Sequence, residues 1–510
     1  MSYLEERVTF TSKIEALEEQ IALNPQNAHY SNDLAIVYEK MGNVDKAIEH
    51  YKEAIKKDPS FAKAYNNLGV ILYKQGKYAQ AVEIFKLSLE VDAKFVSTYV
   101  NLGAACNKAK RYEEGEKALL QAIELDDENA GAYANLGNIY NKMKRHDEAR
   151  IQHEMALMLD DKAASNYANI GITYKNLGLF EEAKKALEQA IMIDPHFVNA
   201  HFDLATTYLM LGEYEKGFAA YEWRFQKPEM KSLFLDLKEV LDKPGFTLDK
   251  DCEHKRLFLY TEQGFGDILQ FSRFVYTLKE KFPTLSIMIE VRPELKSLFS
   301  YMNCFDAVIA RGDARGEFDY QLAVMSLPYL LGVGYEDIPQ APYISVLGHS
   351  FLETKSDRLN VGIVWGASKS GESYEDKVFS LAYFKPFMVD KRVQLYSLQV
   401  SGDSKQIEEM GLEDEDIINL ESKLTDFKET ALAIKKLDLV ITSDTSVAHL
   451  AGAMGKEVWV VLQKHADWRW GKDSDESHWY PSARLFSQDR VGDWQSAFAK
   501  VYDALEERIS

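Results

Sequence analysis

Apolar and small residues recur along the first half of the chain with one long period. Leu34, Leu68, Leu102, Leu136, Ile170 and Leu204 stand 34 residues apart, and Gly42, Gly76, Lys110, Lys144, Gly178 and Gly212 keep the same interval eight residues further on. A third series of turn-forming or acidic residues runs Pro25, Pro59, Ala93, Asp127, Asp161 and Pro195. A fixed period of this length marks a stacked repeat, here a helical hairpin with a small residue where its two helices touch. The pattern predicts six hairpins over 28–231, with Thr11–Asn24 as the second helix of an incomplete leading unit within 1–27.

From Arg256 the pattern changes to short apolar runs separated by amphipathic stretches. Strands are expected at Arg256–Thr261, Ser286–Val291, Ala307–Ile309, Asn360–Trp365, Gln394–Leu398, Leu437–Thr442 and Glu457–Leu462. Helices are expected between them at Ile268–Lys281, Pro293–Tyr301, Lys423–Lys435 and Val447–Met454. Strands alternating with helices imply parallel sheets. The break with Pro339 and Pro342 divides them into two Rossmann-like lobes, 256–345 and 346–510, the second closing on a terminal helix. A connecting region, 232–255, carries Lys243-Pro244-Gly245.

The repeat itself has a recognisable signature. Tyr133-x2-Leu136-Gly137-x2-Tyr140 and Ala81-x3-Phe85 match the tetratricopeptide pattern. Such hairpins bury their apolar faces only by stacking, which leaves a concave surface free. Asn67, Asn101, Asn135 and Asn169 recur at the same interval on the first helices, with Asp33 and Asp203 in the flanking units. A carboxamide both donates and accepts, so such a row suits an extended peptide backbone. Contact with a neighbouring helix accounts for the same spacing.

With 510 residues the chain is too long for one core. No apolar run approaches the roughly 20 residues of a membrane span. The acidic start Met1–Arg7 is unlike a secretory signal, and Cys106, Cys252 and Cys304 form neither a disulfide framework nor a metal cluster. A cytoplasmic protein is expected, without metal or bound cofactor. A net charge of −20 argues against a broad nucleic-acid surface but leaves room for a small basic pocket.

Three turns at the ends of strands have the make-up of a site. In Gly264-Phe-Gly266-Asp267 two glycines allow close approach to the backbone, and Asp267 is either a base facing a cleft or a helix cap. In Asp444-Thr445-Ser446, with His449 one turn into the helix, the exposed N–H groups and hydroxyls suit a diphosphate, or the helix is simply capped over a buried histidine. The loop Gly366–Lys377 offers Lys369, Ser370, Gly371 and Lys377, as phosphate contacts or as a solvated loop. Trp468-Arg-Trp470 is either a cation lining the cleft or a packed surface turn.

Thr-Glu-Gln-Gly-Phe-Gly-Asp-Ile-Leu-Gln-Phe-Ser-Arg (261–273), Val-Gly-Ile-Val-Trp-Gly (361–366), Tyr-Ser-Leu-Gln (396–399) and Asp-Leu-Val-Ile-Thr-Ser-Asp-Thr-Ser-Val-Ala-His-Leu-Ala-Gly-Ala (438–453) resemble bacterial tetratricopeptide proteins with a heptosyltransferase-like domain. The runs 467–470 and 479–482 fit the same group, so the resemblance covers nearly the whole chain. It implies a GT-B fold and an inverting, metal-independent glycosyl transfer from a nucleotide sugar. Asp267 becomes the catalytic base, and Gly264 and Gly266 line the donor. Asp444, Thr445, Ser446 and His449 hold the donor phosphates, with Lys377 preferred to Lys369 as the loop lysine and Gln399 near the nucleoside. The asparagine row is similar to that of O-linked N-acetylglucosamine transferases, which implies a protein acceptor held at Asn67, Asn101, Asn135 and Asn169. The competing expectation is an interaction scaffold whose C-terminal domain is idle.

Overall fold

The computed structural model describes residues 3–248, 252–367, 374–400, 402–472 and 474–510. By its internal contacts the chain divides into two compact units, Met1–Ala200 and His201–Ser510.

The first unit is a right-to-the-period stack of helices. After Tyr3–Leu23 come the hairpins Ala28–Lys40/Val44–Lys57, Ala62–Lys74/Tyr78–Val91, Val96–Lys108/Tyr112–Leu125, Ala130–Lys142/His146–Leu159 and Ala164–Asn176/Phe180–Ile193. Gly69, Gly103, Gly137 and Gly171 let the helices of a hairpin touch. A Cβ added at Gly69, Gly103 or Gly171 would lie 2.5 Å from the Phe85 ring, 2.4 Å from Leu119 Cγ or 2.7 Å from Leu187 Cγ, closer than real side chains approach. At Gly137 the facing side chain is His153, fully buried between Thr173 and the Ala134 carbonyl. The turn inside each hairpin needs positive φ: Gly42, Gly76 and Gly178 supply it freely, whereas Lys110 and Lys144 are held at φ 58° and 60°.

Between hairpins the work falls to a carboxylate one residue earlier than the series seen in the sequence. Asp58, Asp92, Asp126 and Asp160 each accept the backbone N–H two residues on, at 2.9, 3.0, 3.3 and 3.1 Å. First helices of successive units pack side by side, so residues on them share one face of the stack.

The second unit opens inside the sixth hairpin, Val198–Met210/Tyr214–Tyr221, and takes in both sheets. The first sheet contains β1 (Arg256–Tyr260), β2 (Ser286–Val291), β3 (Ala307–Ala310) and β4 (Tyr320–Ala323), all parallel in the order β3-β2-β1-β4. The second contains β5 (Leu359–Val364), β6 (Val393–Ser397), β7 (Ile417–Asn419), β8 (Leu439–Ser443), β9 (Val458–Leu462) and β10 (Ala483–Ser487). It too is parallel, in the order β10-β9-β8-β5-β6-β7, and the helix Trp494–Ile509 covers one of its faces.

The expected helix 268–281 is in fact two, Phe265–Phe271 and Phe274–Lys281. Arg273 at the break is fully buried and donates to the carbonyls of Gln270, Pro339 and Trp479 and to the Tyr343 hydroxyl. Among the described residues no helix is long and apolar enough to cross a membrane.

Candidate functional site

In each sheet the strand order reverses beside a central strand, between β1 and β4 in the first and between β5 and β8 in the second. Crevices at the carboxyl ends of such strands are where open α/β sheets bind ligands. The turn after β1 carries Asp267; the segments after β5 and β8 carry Lys377 and Asp444.

The structure brings these turns together. The helix Phe265–Phe271 packs on the helix Ser446–Ala453, and a Cβ on Gly266 would stand 2.6 Å from His449 Cδ2. Gly266 is therefore small to admit His449, which corrects its reading as an opening for a ligand. Gly264 is different, since a Cβ there would meet nothing nearer than Asp267 Oδ2 at 3.5 Å.

Asp267 does two things at once. Its Oδ2 accepts from the Gly264 N–H at 3.2 Å, the cap expected from its place in the first turn. Its Oδ1 accepts from Arg469 Nη2 at 2.5 Å. Arg469 sits in the turn Trp468–Trp470 after β9, where its Nη1 donates to Asp467 Oδ1 at 2.7 Å and its guanidinium lies 4.3 Å from the Trp468 ring. The turn is packed, with Trp468 and Trp470 both buried, and it places Arg469 against Asp267.

On the other side, Lys377 closes the short helix Tyr374–Lys377, and its Nζ lies 2.6 Å from Asp444 Oδ2. Burial opposes the charge on Lys377, but the carboxylates of Asp444 and Asp467 outweigh it and raise its pKa. Burial likewise pushes Asp444 up, and chiefly the Lys377 ammonium holds its carboxyl below the usual range. Lys369, Ser370 and Gly371 lie outside the described residues.

His449 is buried, with Nδ1 3.0 Å from the Tyr480 hydroxyl, Nε2 4.0 Å from Asp444 Oδ1, and its ring stacked on Trp470. Burial brings its pKa down to about 4, so the ring is neutral at pH 7. The ring is packed, with one nitrogen hydrogen-bonded and Nε2 facing the Asp444 carboxylate beyond hydrogen-bond distance.

Thr445 is the N-cap of the helix Ser446–Ala453, its hydroxyl 3.0 Å from that of Thr442. The helix leaves the first amides, those of Ser446 and Val447, without an intrahelical acceptor. Gln399 Oε1 accepts from the backbone N–H groups of Trp365 and Gly366 at 3.2 and 2.9 Å, fixing the chain as it leaves β5.

One buried network escaped the sequence reading. Arg224 pairs with Glu262 at 2.7 Å and with Glu222, and Ser326 joins both sides, tying the start of the β1 turn to the end of β4. The only signal was an arginine inside the aromatic run Tyr221–Phe225.

In the first unit the asparagine row divides in two. Asn67 and Asn101 donate to Asn32 and Asn66 of the preceding hairpin, each at 3.0 Å, as the neighbouring-helix alternative requires. Val100 and Ala134 replace those partners further along, and the side chains of Asn135 and Asn169 have no hydrogen bond among the described residues.

Residues 8–224 match the family described as Cilia and flagella-associated protein 70 C-terminal domain. The N-terminal half is a tetratricopeptide-repeat array. The chain is also 24 % identical over 326 residues to Protein FlbA of Caulobacter vibrioides, covering 57 % of this chain and 52 % of that protein. It thus spans about half the length of that curated relative. Among solved structures it is similar to YrrB, a tetratricopeptide protein with an unusual peptide-binding site, at TM-score 0.31 and 24 % identity over 37 % of this chain and 96 % of that one. PilF of Pseudomonas aeruginosa is similar at TM-score 0.35 and 20 % identity, over 43 % of this chain and 98 % of that one.

Proposed function

We propose that this chain is an inverting glycosyltransferase of GT-B architecture that moves a sugar from a nucleotide-sugar donor to a protein acceptor. The observation that carries the reading is the packing of the helix that carries Asp267 against the helix that starts at Ser446, at the carboxyl ends of two parallel sheets, with Arg469 on Asp267 and Lys377 on Asp444. In the proposed roles, the amides of Ser446 and Val447, the Thr445 hydroxyl and Lys377 hold the donor diphosphate, and Asp267 takes the proton of the acceptor hydroxyl. His449 supports this surface from below. The acceptor backbone is assigned to the array, at Asn135 and Asn169, whose carboxamides are uncommitted. Thermal unfolding against ADP-, GDP-, UDP- and dTDP-linked sugars tests the reading. A bound donor at about 100 times its Kd stabilises the native state by about 2.7 kcal/mol. No stabilisation by any of them refutes it.

The scaffold reading draws on one feature: Lys377 and Arg469 are both already paired with carboxylates. Turnover of a donor that binds, by transfer or by hydrolysis, separates the two readings, because a catalytically idle domain consumes none.

A further inference from the structure

We infer that Arg469 is itself a ligand for the donor diphosphate, and that it exchanges Asp267 for a phosphate oxygen when the donor binds. The inference rests on the donor site proposed above. Three carboxylates, Asp267, Asp444 and Asp467, face two cations, Lys377 and Arg469, while His449 is neutral at pH 7. These groups therefore leave one uncompensated negative charge where a dianionic group must enter. Beyond the amides of Ser446 and Val447 and the remaining N–H groups of Lys377, a full cation for the anion is gained when one gives up a carboxylate to receive it.

The two cations differ in what such an exchange costs. Lys377 has Asp444 as its carboxylate at 2.6 Å, and Asp444 is buried, so leaving it strands a charge inside the protein. Arg469 has two carboxylates. Asp467, from its own turn, anchors Nη1 at 2.7 Å, and the Trp468 ring supports the guanidinium plane. Asp267, reached by Nη2, is 19 % exposed and keeps its bond to the Gly264 N–H when the arginine leaves. Arg469 Nε is buried and has no acceptor among the described residues. Release of Asp267 thus frees the fork of N–H groups that recognises phosphate, on a side chain already held in place.

The exchange also prepares the chemistry. Before the donor binds, Asp267 Oδ1 is occupied by Arg469; afterwards it is free to accept a proton. The acceptor oxygen then bonds to the anomeric carbon, its proton passes to Asp267, and the anomeric C–O bond breaks with its electrons leaving on the diphosphate. The donor must bind first.

Calorimetric titration of the full chain with ADP, GDP, UDP and dTDP tests the exchange. Asp267 competes with phosphate for Arg469, so Asp267→Asn should bind its nucleotide about fivefold or more tightly than the unaltered protein. Arg469→Gln should bind about tenfold more weakly, and adding Asp267→Asn to it should change nothing further. An Asp267→Asn protein that binds no tighter overturns the inference and leaves the donor site standing. So does a gain that persists without Arg469. An unaltered protein that binds none of the four nucleotides overturns the inference and the proposed function together. If Arg469→Gln does not fold, the affinity of Asp267→Asn decides alone.

Discussion

His153→Leu should abolish an acid weakness built into the array. Position 153 corresponds, by the 34-residue period, to Phe85, Leu119 and Leu187, all packed on the glycine of the facing helix. The histidine is fully buried there, and burial lowers its pKa from 6.5 to about 4. The unfolded chain therefore binds a proton below about pH 6.5 that the folded chain refuses until about pH 4. Stability contributed by the neutral ring is intact above pH 6.5 and falls as pH drops toward 4. The full gap is worth about 3 kcal/mol at about 1.4 kcal/mol per pH unit, and more than half of it is gone by pH 5. Leucine at this position cannot take up a proton. Hydrogen exchange in the helices Ala130–Lys142 and Ala164–Asn176, followed from pH 7 to pH 4.5, reads the effect locally. The variant should keep its protection through that range while the unaltered protein loses it. Parallel losses in both proteins would show that His153 does not titrate as argued.

Lys110→Gly and Lys144→Gly should each stabilise the array by about 0.5–1 kcal/mol, because both lysines are held at positive φ where four other repeats have glycine; denaturant unfolding measures it. Asn135→Ala with Asn169→Ala should weaken the acceptor by roughly fivefold to a hundredfold at unchanged stability, since two amide–backbone hydrogen bonds are worth about 1–3 kcal/mol. Asn67→Ala should instead cost about 1 kcal/mol in stability by leaving the Asn32 carbonyl without its donor, and Asn101→Ala less, because Thr98 Oγ1 still donates to Asn66 at 3.2 Å. Under the proposed transfer, Asp267→Asn should lower turnover by about 10²–10⁴-fold, and activity of the unaltered protein should survive EDTA; a loss in chelator reversed by manganese contradicts the assigned roles.

Periodicity determined the array, because everything that defines a hairpin lies within 34 residues: the glycine, the residue 16 positions on that it faces, and the turn between. The apolar runs likewise placed β1, β2, β3, β5, β6, β8 and β9 to within a residue or two. The strands not foreseen, β4, β7 and β10, all lie at sheet edges. Edge strands are short and bury less, so Tyr320–Ala323 and Ile417–Asn419 make no continuous apolar signal. Glycine had one local signature and two tertiary meanings: Gly264 is open, while Gly266 is filled by a ring from a helix 183 positions later in the chain. The turns that form the candidate site were legible one at a time, as glycines, hydroxyls and a carboxylate at strand ends. Their charge balance was not. The Asp267–Arg469 pair joins positions 202 residues apart, Lys377 meets Asp444 across the switch between β5 and β8, and Arg224 reaches Glu262 from the last helical hairpin. Such pairings depend on how two sheets and a hairpin close over one another, and desolvation then sets which charges must be matched. Sequence spacing fixes neighbours along a helix or strand; only packing decides which distant charge each one meets.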